Sequence, residues 1–100
     1  MNLGHYIKAP GDRKRYVVDY VDWLDTNERI TQVTVTTPSN TASFFVDGSV
    51  IGSTSKDTIF FVSGGVEGGS YVVDITIYTD RQQIKTDTVT FEVTSKGRKV

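Results

Sequence analysis

Acid–base catalysis needs a titratable base, and this chain offers one histidine, His5. With no second partner in reach of a short N-terminal segment, His5 is not expected to do enzymatic work. Cysteine is absent, which excludes thiol nucleophiles, disulfides and thiolate metal sites. Asp19, Asp22 and Asp25 recur every third position. That spacing would align them on a helix, but here they enter a strand boundary, so the alignment fails. Two of them with Asp80 or Glu28 would offer oxygens to Ca²⁺, a cation that wants several clustered carboxylates. Turn and edge carboxylates are the preferred reading, with Asp22 capping the turn beside Trp23. Gly64-Gly65-Val66-Glu67-Gly68-Gly69 lacks the lysine and following helix of a phosphate loop. Its glycines, Gly64, Gly65 and Gly68 among them, are read as permitting positive φ in a tight connection between sheets. Arg13-Lys14-Arg15 could meet phosphate, but only Tyr16 is there to stack on a base, so nucleic-acid binding is the weak reading. Neither cofactor, metal nor small-molecule substrate is expected.

The elements that would position these residues are strands. Val73, Ile75 and Ile77 alternate with Asp74, Thr76 and Tyr78, and Val89, Phe91 and Val93 alternate with Thr88, Thr90 and Glu92. Such period-2 patterns give one buried and one wetted sheet face. Val33 to Thr37 alternates too, with Ile30 out of phase, which predicts a bulge near Gln32. Asp47-Gly48 reads as a hairpin turn between Ala42–Val46 and Ser49–Ile51. Gly52 to Lys56 is polar loop, and Asp57 to Val62 is strand. Phe44-Phe45 and Phe60-Phe61 are adjacent pairs, so one ring of each should face outward and offer a contact patch.

The run Ile59 to Ile75 carries a strand into the double-glycine loop, then a tyrosine, Tyr71, at the head of a longer strand. This is the arrangement expected at a corner of an immunoglobulin-like sandwich, where the tyrosine hydroxyl ties to nearby backbone. The expected fold is therefore an all-β, immunoglobulin-like β-sandwich of about seven antiparallel strands. Its predicted core is Trp23, Tyr71, Val73, Ile75, Ile77, Val89, Phe91 and Val93.

One hundred residues suit one domain. The net charge is −1, but it is unevenly placed. Residues 1–15 sum to +3, residues 96–100 to +3 and everything between to −7. The division expected is an N-terminal arm over 1–13, the sandwich over 14–95 and a basic C-terminal tail over 96–100. Basic ends on an acidic body dock on acidic surfaces, or serve as solvated tails. The contacts expected are Leu3, Tyr6 and Ile7 as apolar anchors, with Arg13, Lys14, Arg15, Lys96, Arg98 and Lys99 as charges. No stretch has the length of a membrane span, and no signal peptide is evident.

The pattern Asp19-Tyr20-Val21-Asp22-Trp23-Leu24, then Ile30, then Phe61 through Val73 with Ser63-Gly64-Gly65 and Gly68-Gly69-Ser70-Tyr71, resembles small immunoglobulin-like structural proteins of tailed bacteriophages. The resemblance covers roughly residues 16–94. It implies a non-enzymatic virion protein of head, neck or tail (a decoration, completion or tail-associated module), made in the host cytoplasm. Its partners would be other virion proteins or copies of itself. The alternative is a carbohydrate- or cell-surface-binding module, for which Tyr78, Asp80 and Gln82 offer a sparse site. A domain cut from an enzyme is a third reading, disfavoured by ends that look complete.

Overall fold

Alternation of β-branched and aromatic residues with threonine and charge writes the sheets of this protein, known here from a computed structural model. It describes residues 2–37 and 44–95, with only the backbone of Asn2, Leu3 and His5. Seven strands follow one another: β1 (Asn2–Lys8), β2 (Arg13–Asp19), β3 (Ile30–Thr36), β4 (Phe44–Ile51), β5 (Asp57–Gly64), β6 (Ser70–Thr79) and β7 (Ile84–Val93). They form a four-stranded sheet of order β1-β7-β6-β3 and a three-stranded sheet of order β2-β5-β4. The fold is an all-β, immunoglobulin-like sandwich.

The β6–β7 pair supplies most of one inner face. Val73 lies opposite Val89 and Tyr71 opposite Phe91. Val73, Ile75, Ile77, Val89, Phe91 and Val93 are all buried, as their alternation requires. Phe44, Phe60 and Val62 face them from the other sheet. Burying a side chain of this kind contributes about 1.5–3 kcal/mol relative to leaving it exposed. The expected bulge is present: the β3–β6 register shifts between Ile30 and Gln32.

Four expectations change. Residues 2–8 are not an arm. They pair with β7 along its free edge, Tyr6 opposite Phe91 and Lys8 opposite Val93, and the pairing is parallel. The sandwich is therefore not wholly antiparallel, and its ordered part begins before residue 14. The inner positions of β1 are Gly4, Tyr6 and Lys8, a series with no apolar period to mark a strand. Asp47-Gly48 is no hairpin turn. β4 runs through it, both flanks pair with β5, and the register shift between Val46 and Ser49 makes it a bulge, with Gly48 at φ 105°. Trp23 is half-buried rather than central. It sits in the turn after β2, where Trp23 and Leu24 N–H both donate to Tyr20 O, so the chain cannot carry it between the sheets. Tyr71 is likewise half-buried. Ala42 and Ser43, assigned to the strand before Asp47, lie outside the described residues.

Candidate functional site

The glycine-rich corner closes one end of the sandwich. Gly64, Gly65 and Gly68 have φ of 83°, 110° and 82°, in the region that side chains avoid. At Gly65 space forbids a side chain too, since a Cβ would lie 2.6 Å from Val93. Val66 N–H donates to Tyr71 Oη at 3.1 Å, and the Tyr71 ring stacks on Phe44 with centroids 4.1 Å apart. Gly68 N–H donates to Val93 O, and Val93 N–H to Gly69 O. No phosphate cradle results, because these groups are spent holding β5, β6 and β7 in place.

Lys8 enters the same end from β1. It is buried, and its Nζ donates to Gly64 O at 2.5 Å and to Ala9 O at 3.0 Å. Burial lowers its pKa from the usual 10.5, against a smaller opposing pull from Asp12. A residue counted among the solvated charges of the N-terminal segment is thus an internal cation.

The opposite end is organised by Glu28, also buried. Asp25 N–H donates to Glu28 Oε1 at 2.8 Å, and Glu28 N–H returns a bond to Asp25 O at 3.0 Å. The Thr79 hydroxyl and Gln83 Nε2 complete the shell. The Thr79 hydrogen bond is the leading cause that holds the Glu28 carboxyl below 4.5, with desolvation working against it. Asp25-x-x-Glu28 has the spacing of a reciprocal backbone cap, a signal that could have found this network. Asp80 Oδ1 accepts Arg29 N–H at 3.0 Å, so it too serves a turn. Asp19 Oδ1 accepts from Val21 N–H, so Asp19 rather than Asp22 caps the turn before Trp23. No group of three metal-ligating side chains occurs among the described residues.

The side formed by β1 and β2 carries most of the proposed contacts. Tyr6 and Ile7 are 44% and 54% exposed. Arg13, Lys14 and Arg15 are exposed along β2, the edge of its sheet. Arg13 is already engaged: its Nε lies 2.6 Å from Asp47 Oδ2, and its guanidinium sits 3.9 Å from the Phe61 ring centroid. That contact accounts for one of the outward phenylalanines. It also leads the causes that hold the Asp47 carboxyl below 3.8. Phe45, the other outward ring, is exposed. Between β1 and β2 the Tyr6 and Tyr16 rings meet at 5.5 Å, and Tyr16 meets Phe91 edge-on at 4.9 Å. Burial, and then Tyr6 and Asp12, push the Tyr16 phenol up to about 12, so it stays neutral. The side chain of Leu3, and Lys96, Arg98 and Lys99, lie outside what is described.

A groove of about 280 Å³ is lined by Trp23, Tyr20, Lys85 and Asp87 with Asp19 and Asp22 at hand. Lys85 Nζ lies 3.3 Å from Asp87 Oδ1 and 5.5 Å from the Trp23 ring centroid. Burial first, then the Asp87 carboxylate, raises the Tyr20 phenol above its usual 10.0. This groove was not foreseen, because Lys85 and Asp87 reach Trp23 only through sheet-to-sheet packing. No helix among the described residues is long and apolar enough to cross a membrane.

The architecture recurs in larger proteins. A 2,6-sialyltransferase of Photobacterium sp. JT-ISH-224 superposes with a TM-score of 0.58 at 11% identity, over 94% of this chain and 17% of that one. The secreted serine protease VesC of Vibrio cholerae gives 0.57 at 13% identity, over 92% and 21%. The chain thus spans about a fifth of the length of these two proteins, and the likeness is one of fold. The PKD domain of the KIAA 1837 protein gives 0.49 at 17% identity, over 88% and 78%. No curated protein matches the sequence. What the corner, the strand pair and the polar turn network define is a small immunoglobulin-like sandwich. Residues 8–92 match the model of the Gp77 family, the podophage GP4 fiber-tail adaptor protein gp77, and the chain belongs to that family. It is a tail-associated structural protein of a bacteriophage.

Proposed function

We propose that the protein acts without catalysis, as an adaptor that joins tail components through protein–protein contacts on its β1–β2 side. The family match carries the tail assignment. The exposed Tyr6 and Ile7, next to the basic β2 edge, support this side as the docking face. Apolar groups supply association energy there, and Lys14 and Arg15 supply orientation toward an acidic surface. The partners are other virion proteins, or copies of this chain, and its place is the virion after synthesis in the host cytoplasm. Leu3, Lys96, Arg98 and Lys99 are proposed to extend the same contact.

The test is complementation of a phage lacking this protein with Lys14→Glu combined with Arg15→Glu. Both positions are exposed, so folding should be unchanged by circular dichroism and melting. Incorporation into tails should fall at least tenfold, and in the wild type it should weaken as salt rises. Wild-type copy number from the charge-reversed chain would sink this reading.

A further inference from the structure

The two sides of the sandwich are not equivalent. On one, β3 and β4 approach each other, with a cavity of about 350 Å³ lined by Val35, Thr36, Thr37 and Val46 between them. On the other, the Tyr6 and Tyr16 rings bridge β1 and β2, and a cleft of about 200 Å³ lies beside them. Tyr6, Tyr16, Val17, Val18, Phe60 and Val89 line it, with Asp19 at hand. β1 places Gly4 opposite Val89, and the Tyr6 ring lies over Gly4, 3.6 Å from where a Cβ would stand. The cleft is apolar and open, and Val17 beside it is 50% exposed.

β2 is also an edge strand, pairing with β5 on one side only. An edge strand presents backbone donors and acceptors to whatever arrives as an extended chain. Its side chains grade along its length. Arg13, Lys14 and Arg15 come first, then Tyr16, Val17 and Val18. The basic start disfavours pairing with another β2 in parallel register, where like charges would face each other. It favours a chain with carboxylates at the matching positions.

We infer that the β2 edge receives an extended segment of a partner tail protein, which adds a strand to the β2-β5-β4 sheet. That segment carries acidic residues opposite Lys14 and Arg15, and one leucine- to phenylalanine-sized side chain that seats in the cleft beside the Tyr6 and Tyr16 rings, against Val17, Val18 and Val89. The inference rests on the tail-adaptor reading and names the form of its partner. Backbone pairing gives the contact its affinity, the cleft its register and the basic residues its choice of partner.

Because the chain has no cysteine, single substitutions give unique attachment points. Val17→Cys and, as a control on the opposite edge, Val50→Cys would each carry a photo-activated cross-linker and be assembled into tails in place of the wild type. The expected result is one cross-linked segment at Val17→Cys, extended, with an acidic residue within a few positions, and no such adduct at Val50→Cys. Val17→Asp should lower incorporation at least tenfold while melting as the wild type does. A helical or scattered footprint, an adduct only to a second copy, or no adduct in tails that contain the protein overturns strand addition. None of these touches the adaptor reading, which fails separately if the charge-reversed chain still enters tails normally.

Discussion

The two ends of the sandwich each bury a charge, and they treat it differently. At the β6–β7 turn, Glu28 receives hydrogen bonds from Asp25 N–H, the Thr79 hydroxyl and Gln83. At the far end, opposite Val93, Lys8 has two carbonyl oxygens, those of Ala9 and Gly64. Both pKa values are lowered, but for opposite reasons. Donors to the charged form lower that of Glu28, whereas loss of hydration lowers that of Lys8. The first end is organised by its charge. The second is organised by the Phe44–Tyr71 stack and the glycine corner, and carries its charge as a cost. A buried charge thus tells nothing about stability until its partners are counted.

If that contrast is right, the aromatic end fails most when its rings are removed. Tyr71→Ala should cost about 3 kcal/mol, the low end for a large aromatic because Tyr71 is half-buried. Tyr71→Phe, which loses only the bond from Val66 N–H, should cost about 1 kcal/mol. Guanidinium midpoints compare the two, and an unchanged midpoint for Tyr71→Ala would remove the stack as the support of this end. At the other end, Glu28→Ala should lower the melting temperature by several degrees, because it strands the Thr79, Gln83 and Asp25 donors. Calorimetry checks the sign, and a neutral outcome would mean the polar turn holds without its carboxylate.

Lys8→Met keeps the length of the side chain and removes the charge. It should leave stability unchanged or raise it by up to about 1 kcal/mol, because the desolvation it relieves offsets the two carbonyl bonds it removes. Destabilisation of that size in a urea series would show that the two carbonyl bonds outweigh desolvation. The pH limbs sharpen the contrast further. The folded pKa of Glu28 lies below 4.5, so its contribution is present above 4.5 and is lost as pH falls through the folded value. The folded pKa of Lys8 lies below 10.5, so the unfolded chain holds the proton more tightly, and stability rises with pH between the folded value and 10.5. Melting curves should lose part of the acid limb in Glu28→Ala, Asp47 keeping its share, and the alkaline rise in Lys8→Met.

The proposed docking residues were legible as residue types and not as a surface. Exposure of Lys14, Arg15, Tyr6 and Ile7 follows from composition and position, but the cleft beside them does not. Tyr6 and Val89 line it from one sheet and Tyr16, Val17, Val18 and Phe60 from the other, and Tyr6 is brought there by a pairing between strands more than eighty residues apart. Asp47-Gly48 shows the same limit: the dipeptide permits a turn or a bulge, and the partner strand chooses.

By itself the sequence determined what repeats locally. Period-2 alternation set the faces of β6 and β7, the phase break at Ile30 set the bulge, and the glycines set the corner with positive φ. Only tertiary structure decided that residues 2–8 join the sheet in parallel, that Lys8 is internal, and that Trp23 stays at the rim. Local pattern is written in the order of side chains along one strand. Pairing is decided by which distant edge lacks a partner, because an edge with unpaired N–H and C=O groups takes a strand even when its side chains do not advertise one.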